Sequence, residues 1–305
     1  MTYASTGLIQ AADFNTLCSN GSNINDQWGV GTGAHGLGQT AVSTLAAGAT
    51  VTAAQWSSLL SAINSCLSHE GQATITPAAI TAGSVATYYS AITTGSAAAY
   101  TNSGTTGLAL TTGTTNTTSY GVAWGNTGSR TLVFTQSLTF TNGDAARYFF
   151  NAGGKISLTF ARSGGTTTRN TETTALATAC GTITIGYKNT TKTGGSGTVT
   201  TILNANNGGY WGLTGTAANH FLQYDGVATY STNYIQVQAS WSGTASNGGS
   251  PVLNINTIWG NAWVNAFQPT IDGTCSTALV VNSPSTTNLT NSWGTPLFAG
   301  SVTPV

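Results

Sequence analysis

Beyond residue 120, apolar residues fall on alternate positions. Leu132, Phe134, Leu138 and Phe140 share one parity, with polar Gln136 interrupting the face, and Ile156, Leu158 and Phe160 repeat the pattern. So do Ile183, Ile185 and Tyr187, then Ile235, Val237, Ala239 and Trp241, then Leu253 and Ile255. A period of two predicts half-buried strands. Asn142-Gly143, Thr193–Gly195, Asn207–Gly209 and Asn247–Gly249 supply turns between them. With no helical pattern intervening, residues 120–305 read as a β-sandwich or jelly-roll-like domain, and the chain as mainly β. Upstream the period changes. Phe14 and Leu17, and then Trp56, Leu59, Leu60, Ile63 and Leu67, follow helical spacing.

Residues 7–28 and 49–71 read as two copies of one unit. Ile9-Gln-Ala-Ala-Asp-Phe-Asn-Thr-Leu17 aligns with Val51-Thr-Ala-Ala-Gln-Trp-Ser-Ser-Leu59. Thr52 is the expected N-cap of the second helix and Gly71 its C-terminal stop. Phe14, Trp28 and Trp56 are large enough to anchor in a partner's groove and are the expected interface residues. The Gly-rich link 29–39 between the two units has neither a GKS/T ending nor a preceding strand. It is therefore not a phosphate loop, and it is expected to let each unit orient independently. Residues 76–119 predict short strands and a Thr/Gly-rich linker. This gives three regions: 1–75 helical, for attachment; 76–119; and 120–305.

The densest stretch runs from Asp144 to Phe160. Tyr148, Phe149 and Phe150 read as a strand covered on both faces, and Asn151-Ala152-Gly153-Gly154 as a sharp turn. Together with Ile156, Leu158 and Phe160 they predict a β-hairpin founding the sheet core. The alternative is an aromatic platform for stacking a ligand. Arg147, Tyr148, Phe149, Phe150, Asn151, Ala152, Gly153 and Gly154 form a motif that resembles one in virion structural proteins of tailed bacteriophages, notably phages of cyanobacteria. The Gly-rich link between two helical units, followed by Gln39, resembles the same family's N-terminal pattern. The resemblance implies a structural role, associated with tail, fibre or baseplate, and a virion location after assembly in the host cytoplasm. It implies no chemistry, and it does not extend to the closing third of the chain.

Composition narrows the partners. Only 5% of residues are charged, seven basic against seven acidic, where an ordinary domain has about 25%. Nucleic acid and anionic membrane both require clustered Lys and Arg, so neither is an expected partner. Neutrality favours self-association, so a homo-oligomer is expected. No apolar run reaches membrane-spanning length, and Met1–Ser5 shows no export signal. Cys18, Cys66, Cys180 and Cys275 form no CxxC pair and are expected as free buried thiols.

His35, His69 and His220 have no metal-ligand spacing. The acids Asp13, Asp26, Glu70, Asp144, Glu172, Asp225 and Asp272 form no aromatic-flanked catalytic pair. No catalytic, metal or cofactor residues are therefore assigned, and a non-enzymatic role is expected, with a glycan depolymerase as the lesser alternative. Tyr210, Trp211, Trp259, Trp263 and Trp293 are expected in cores or interfaces. Their exposure as sugar-stacking residues would instead make this a receptor-binding module for a host surface glycan.

Overall fold

The computed structural model describes residues 10–19, 23–76, 85–126, 130–197, 199–203, 208–227, 229–242, 249–263 and 269–305. Ile9, Ile80 and the glycine turns at Asn207 and Asn247 lie wholly or partly outside them. The described chain contains α1 (Ala11–Ser19), α2 (Ile24–Trp28), α3 (Ala53–Glu70), α4 (Val85–Thr101), α5 (Gly143–Asn151) and α6 (Thr168–Cys180). The strands are β1 (Thr111–Tyr120), β2 (Thr131–Thr139), β3 (Lys155–Ser163), β4 (Thr182–Ile185), β5 (Thr190–Thr193) and β6 (Val199–Ile202). They continue with β7 (Ala218–Tyr224), β8 (Tyr234–Trp241), β9 (Val252–Gly260), β10 (Thr274–Ser283) and β11 (Leu297–Pro304).

Among the described residues, eleven strands build two antiparallel sheets, in the orders β1-β10-β3-β4-β5 and β11-β2-β9-β8-β7-β6. The chain is mainly β with small N-terminal helices, as the periodicity predicts. It divides into two compact units. One comprises Met1–Thr111, Arg147–Gly153 and Pro284–Gly294; the other comprises Thr112–Ala146, Gly154–Ser283 and Thr295–Val305. Neither matches the expected division at 120. The segment 120–305 is not self-contained, because two of its stretches are core pieces of the helical unit.

In the β unit, the predicted inward residues Leu132, Phe134, Leu138, Ile156, Leu158, Ile235, Val237, Leu253 and Ile255 are fully buried. Phe160 of one sheet stacks on Phe221 of the other, ring centroids 6.4 Å apart, and Trp259 lies 6.1 Å from Phe134. Gln136, the polar interruption, is buried too. Its amide donates to Thr277 O at 3.1 Å and to Thr118 Oγ1 at 3.4 Å, so it ties the sheets together instead of leaving the core.

Two helices interrupt the β region where none was expected. In α6 the sequence Thr168-Arg-Asn-Thr-Glu-Thr-Thr is rich in β-branched residues, which lowers helix propensity. The Thr167 hydroxyl caps Asn170 N, and the hydroxyls of Thr173, Thr174 and Thr178 bond back to the carbonyls four residues earlier. Thr is thus accommodated through local hydroxyl–carbonyl bonds. Among the described residues of 76–119, α4 and β1 stand where short strands and a linker were expected.

In the helical unit, α3 begins on a complete Thr52–Gln55 capping box and stops at Gly71 (φ +75°), both as predicted. Much of the remaining backbone is irregular, and Asn and Gln amides satisfy it. Asn15 brackets Leu45, Asn25 brackets Val42, Asn64 brackets Ile75 and Gln39 brackets Thr290. In each case the side chain gives N–H to the carbonyl and accepts the backbone N–H, as a neighbouring strand would. Neutral amides here do work that charged side chains do elsewhere, which suits a chain so poor in charge.

Candidate functional site

The aromatic motif is helical. The Asn142 side chain accepts the Ala145 amide at 2.8 Å, capping α5, and Asp144 lies in the first turn, where a negative charge suits the helix dipole. Ala152 N still bonds Tyr148 O, and Gly153, at φ +84°, ends the helix. The expected strand Tyr148–Phe150 and the hairpin through Asn151–Gly154 are therefore corrected to a helix C-terminus leading into β3. The run of three apolar residues has no period of its own, so helix and strand read alike. The available signals were Asn142 as cap, Gly153 as stop, and Arg147 with Asn151 one turn apart.

That one-turn spacing builds the site. Arg147 and Asn151 share a helix face and both reach the Gly-rich loop. Arg147 donates from Nη2 to Val30 O at 2.8 Å and from Nη1 to His35 O, while Asn151 Nδ2 donates to Gly36 O at 3.0 Å. The Arg147 guanidinium also lies 4.9 Å from the Tyr148 ring centre. On a strand the two side chains would stand about 13 Å apart, too far to clamp one loop. Phe149 and Phe150 are buried edge to face at 5.0 Å. Gly153 packs on Thr106, and Ala152 O accepts His69 Nε2–H at 2.8 Å. Gly154 leads into Lys155, the first residue of β3.

Loop 29–39 is accordingly a fixed element. Ser103 Oγ donates to Ala34 O, Ser292 Oγ to Leu37 O, and His35 stacks on Tyr100 at 3.5 Å. A Cβ on Gly36 (φ +100°) would run into Val30 O, and one on Gly38 (φ +67°) would come within 2.5 Å of the Tyr148 ring. The expectation that this link lets the flanking units orient independently is therefore corrected. A phosphate cradle presents N–H groups outward. Here Leu37, Gly38 and Gln39 spend theirs on the carbonyls of Gly29 and Trp28.

The proposed anchors sit differently from expectation. Phe14 and Trp56 are fully buried and meet edge to face at 5.3 Å, so they close α1 onto α3 and are not available as projecting anchors. Trp28 is half-buried, with its Nε1–H donating to Thr40 O at 2.8 Å. Beside it lies a cleft of about 610 Å³ lined by Trp28, Val42, Gln55, Ser57, Ser58 and Ser61. The surface at this point is concave and uncharged.

Comparison with protein-family models, with curated proteins and with solved structures finds no match to this chain.

Several titratable groups are consumed by the fold. Arg169 is fully buried, donating to the carbonyls of Pro269 and Gly125. Arg162 is buried with donors on the carbonyls of Asn170 and Asp272 and on Thr174 Oγ1, beside a cleft of about 530 Å³ along α6. Burial pulls both guanidinium pKa values down. His220 Nδ1 lies 2.8 Å from Thr190 Oγ1, but that hydroxyl also donates to Gly208 O and both residues are fully buried. The pair is thus a structural bond rather than a nucleophile with its base. All four cysteines are buried and unpaired, and burial raises the Cys18 and Cys180 thiols to about 12 and Cys275 to about 11. Among the described residues no group of three or more His, Cys, Asp or Glu could hold a metal ion, and no helix is long and apolar enough to cross a membrane. Of the candidate sugar-stacking aromatics, Tyr210, Trp259 and Trp293 are buried, while Trp211 and Trp263 are half-exposed.

Glu70 carries a pH dependence. Its buried carboxyl accepts from Gln27 Nε2 at 3.3 Å, and desolvation raises its pKa to about 8, with the Gln27 bond opposing. The folded protein thus holds a proton that the unfolded chain releases near 4.5. The resulting stability is present below that value and is lost as pH rises through about 8. Asp225, raised to about 6 by desolvation first, acts in the same direction over a lower window. His69 and His220, lowered by burial, act oppositely: their contribution is lost as pH falls below 6.5. Glu70→Gln is expected to melt several degrees above the wild type at pH 8.5, with the gap narrowing at pH 5.5 and closing below pH 4.5. A gap independent of pH would show that Glu70 is ionised in the folded state.

Proposed function

We propose that the protein is a non-enzymatic structural subunit of a phage virion, associated with tail, fibre or baseplate, and assembling with copies of itself and with other virion proteins. The observation that carries this reading is the fate of the polar chemistry. Arg147, Arg162, Arg169, His69, Glu70 and His220 are all buried inside the two units. What is left outside is dominated by Thr, Ser, Asn and Gly in a chain of zero net charge. Such a surface favours lasting contacts with other protein surfaces over free solubility. The resemblance of residues 147–154 and of the Gly-rich link to virion proteins points to the same role class. Immunogold labelling of purified particles is expected to mark one fixed place on the tail. Particles that carry neither label nor peptides of this chain by mass spectrometry would overturn the proposal.

The cleft beside Trp28 favours one second reading, a receptor-binding role toward a neutral host glycan. An aromatic face flanked by Gln55, Ser57 and Ser61 without charge suits a sugar. In that case the full chain binds a neutral glycan on an array and Trp28→Ala abolishes binding. An array with no signal removes this reading.

A further inference from the structure

The two sides of the β-sandwich are finished differently. On one side the edge strands are β5 and β6, each four residues long, and β5 carries Lys192. Thr190 N there bonds Leu203 O at 3.0 Å, so the backbone itself closes that side. On the other side the edges are β1, ten residues long, and β11, eight residues long. They lie against each other, with Gly300 of β11 packed on the Thr118 hydroxyl of β1. Neither contains an Asp, Glu, Lys or Arg.

Short strands, edge lysines, prolines and bulges are the usual protections against edge-to-edge pairing. The β5/β6 side has the first two. On β11, the bonds exchanged by Val305 and Thr131 fix the alternation, so Pro304 stands at a position directed away from β2 and removes one outward donor. β1 has no such protection: Thr-Thr-Gly-Thr-Thr-Asn-Thr-Thr-Ser-Tyr carries no charge and no proline. Thr111, Thr112, Gly113, Thr114, Thr115, Thr117 and Ser119 in it are all exposed. Exposed apolar residues stand at the ends of these two strands: Val122 just past β1 is 63% exposed, Leu297 at the start of β11 is 71% exposed, and Val305 just past its end is 68% exposed.

We propose that β1 is the pairing edge of a two-fold dimer, in which a second copy of this chain lays its own β1 antiparallel against it. The five-stranded sheet then continues across the contact. A two-fold axis brings the strand against itself, so any charge would face a like charge nearby. A ten-residue strand of Thr, Ser, Asn, Gly and Tyr meets no such repulsion, and Thr–Thr neighbours across antiparallel strands are favourable. The occupant is therefore a second copy, since the complement that β1 requires is a strand like itself. This deepens the assembly reading above but can fail separately from it.

The test uses the full chain. Sedimentation velocity at micromolar concentration is expected to give a dimer. The double variant Thr115→Lys/Thr117→Lys, placed on the outward face, is expected to give a folded monomer with unchanged circular dichroism. Thr93→Lys/Thr94→Lys on the exposed face of α4 controls for added charge and is expected to stay dimeric. Mixing the β1 lysine variant with Thr115→Glu/Thr117→Glu is expected to restore a mixed dimer, which a merely structural effect would not do. A monomeric wild type, or a lysine variant that stays dimeric, overturns the pairing. A monomer that is nevertheless found on particles sinks the pairing and leaves the virion reading standing. A β1 dimer absent from particles does the reverse.

Discussion

Phe149→Ala and Phe150→Ala are each expected to lower the stability of the chain by about 3–5 kcal/mol, the usual cost of truncating a buried Phe. Both rings are fully buried and meet edge to face, so each substitution opens a void and also removes the other ring's partner. Their place in the helical unit gives the effect a direction. Helical ellipticity is expected to melt first, because α5 then loses apolar packing and rests more heavily on the polar bonds of Arg147, Asn151 and the backbone around Gly104. A loss of this size is a large part of the stability of an ordinary domain. Variants that melt with the wild type would mean the two rings are not in a core.

Arg147 gives the second large effect. Arg147→Ala is expected to cost about 3–5 kcal/mol. It removes hydrogen bonds from a charged donor and leaves the carbonyls of Val30 and His35 without it. Arg147→Lys is expected to recover less than half, because an ammonium cannot hold two carbonyls in the fixed fork of a guanidinium. Both variants are expected to open loop 29–39 to chymotrypsin, with cleavage after Trp28 or Leu37 that the wild type is expected to resist. A lysine variant that melts normally and resists cleavage would show that the loop is held by its own backbone and by Ser103, Ser292 and Gln39.

What was readable in the sequence is what short-range patterns encode. The alternation of Ile235, Val237, Ala239 and Trp241 selects one face of a strand whatever lies above it, because the pleat itself has a period of two. The limits of α3 were legible for the same reason: Thr52 and Gly71 satisfy backbone groups within one turn of themselves. The tertiary structure decided the segments whose local signals are balanced. Tyr148–Phe150 has no period, and it is helical because only a helix sets Arg147 and Asn151 close enough to hold a loop more than a hundred residues upstream. Thr168–Cys180 has weak helix propensity, and it is helical because its hydroxyls bond back along the helix and because Arg169 and Leu176 are buried. Phe14 and Trp56 would serve equally as anchors or as core, and burial against each other settled their use. Strand periodicity and helix caps need only neighbouring residues, so the sequence alone determined them. The clamp on the Gly-rich loop and the place of β1 at a sheet edge depend on groups far apart in the chain, and only the folded arrangement fixes them.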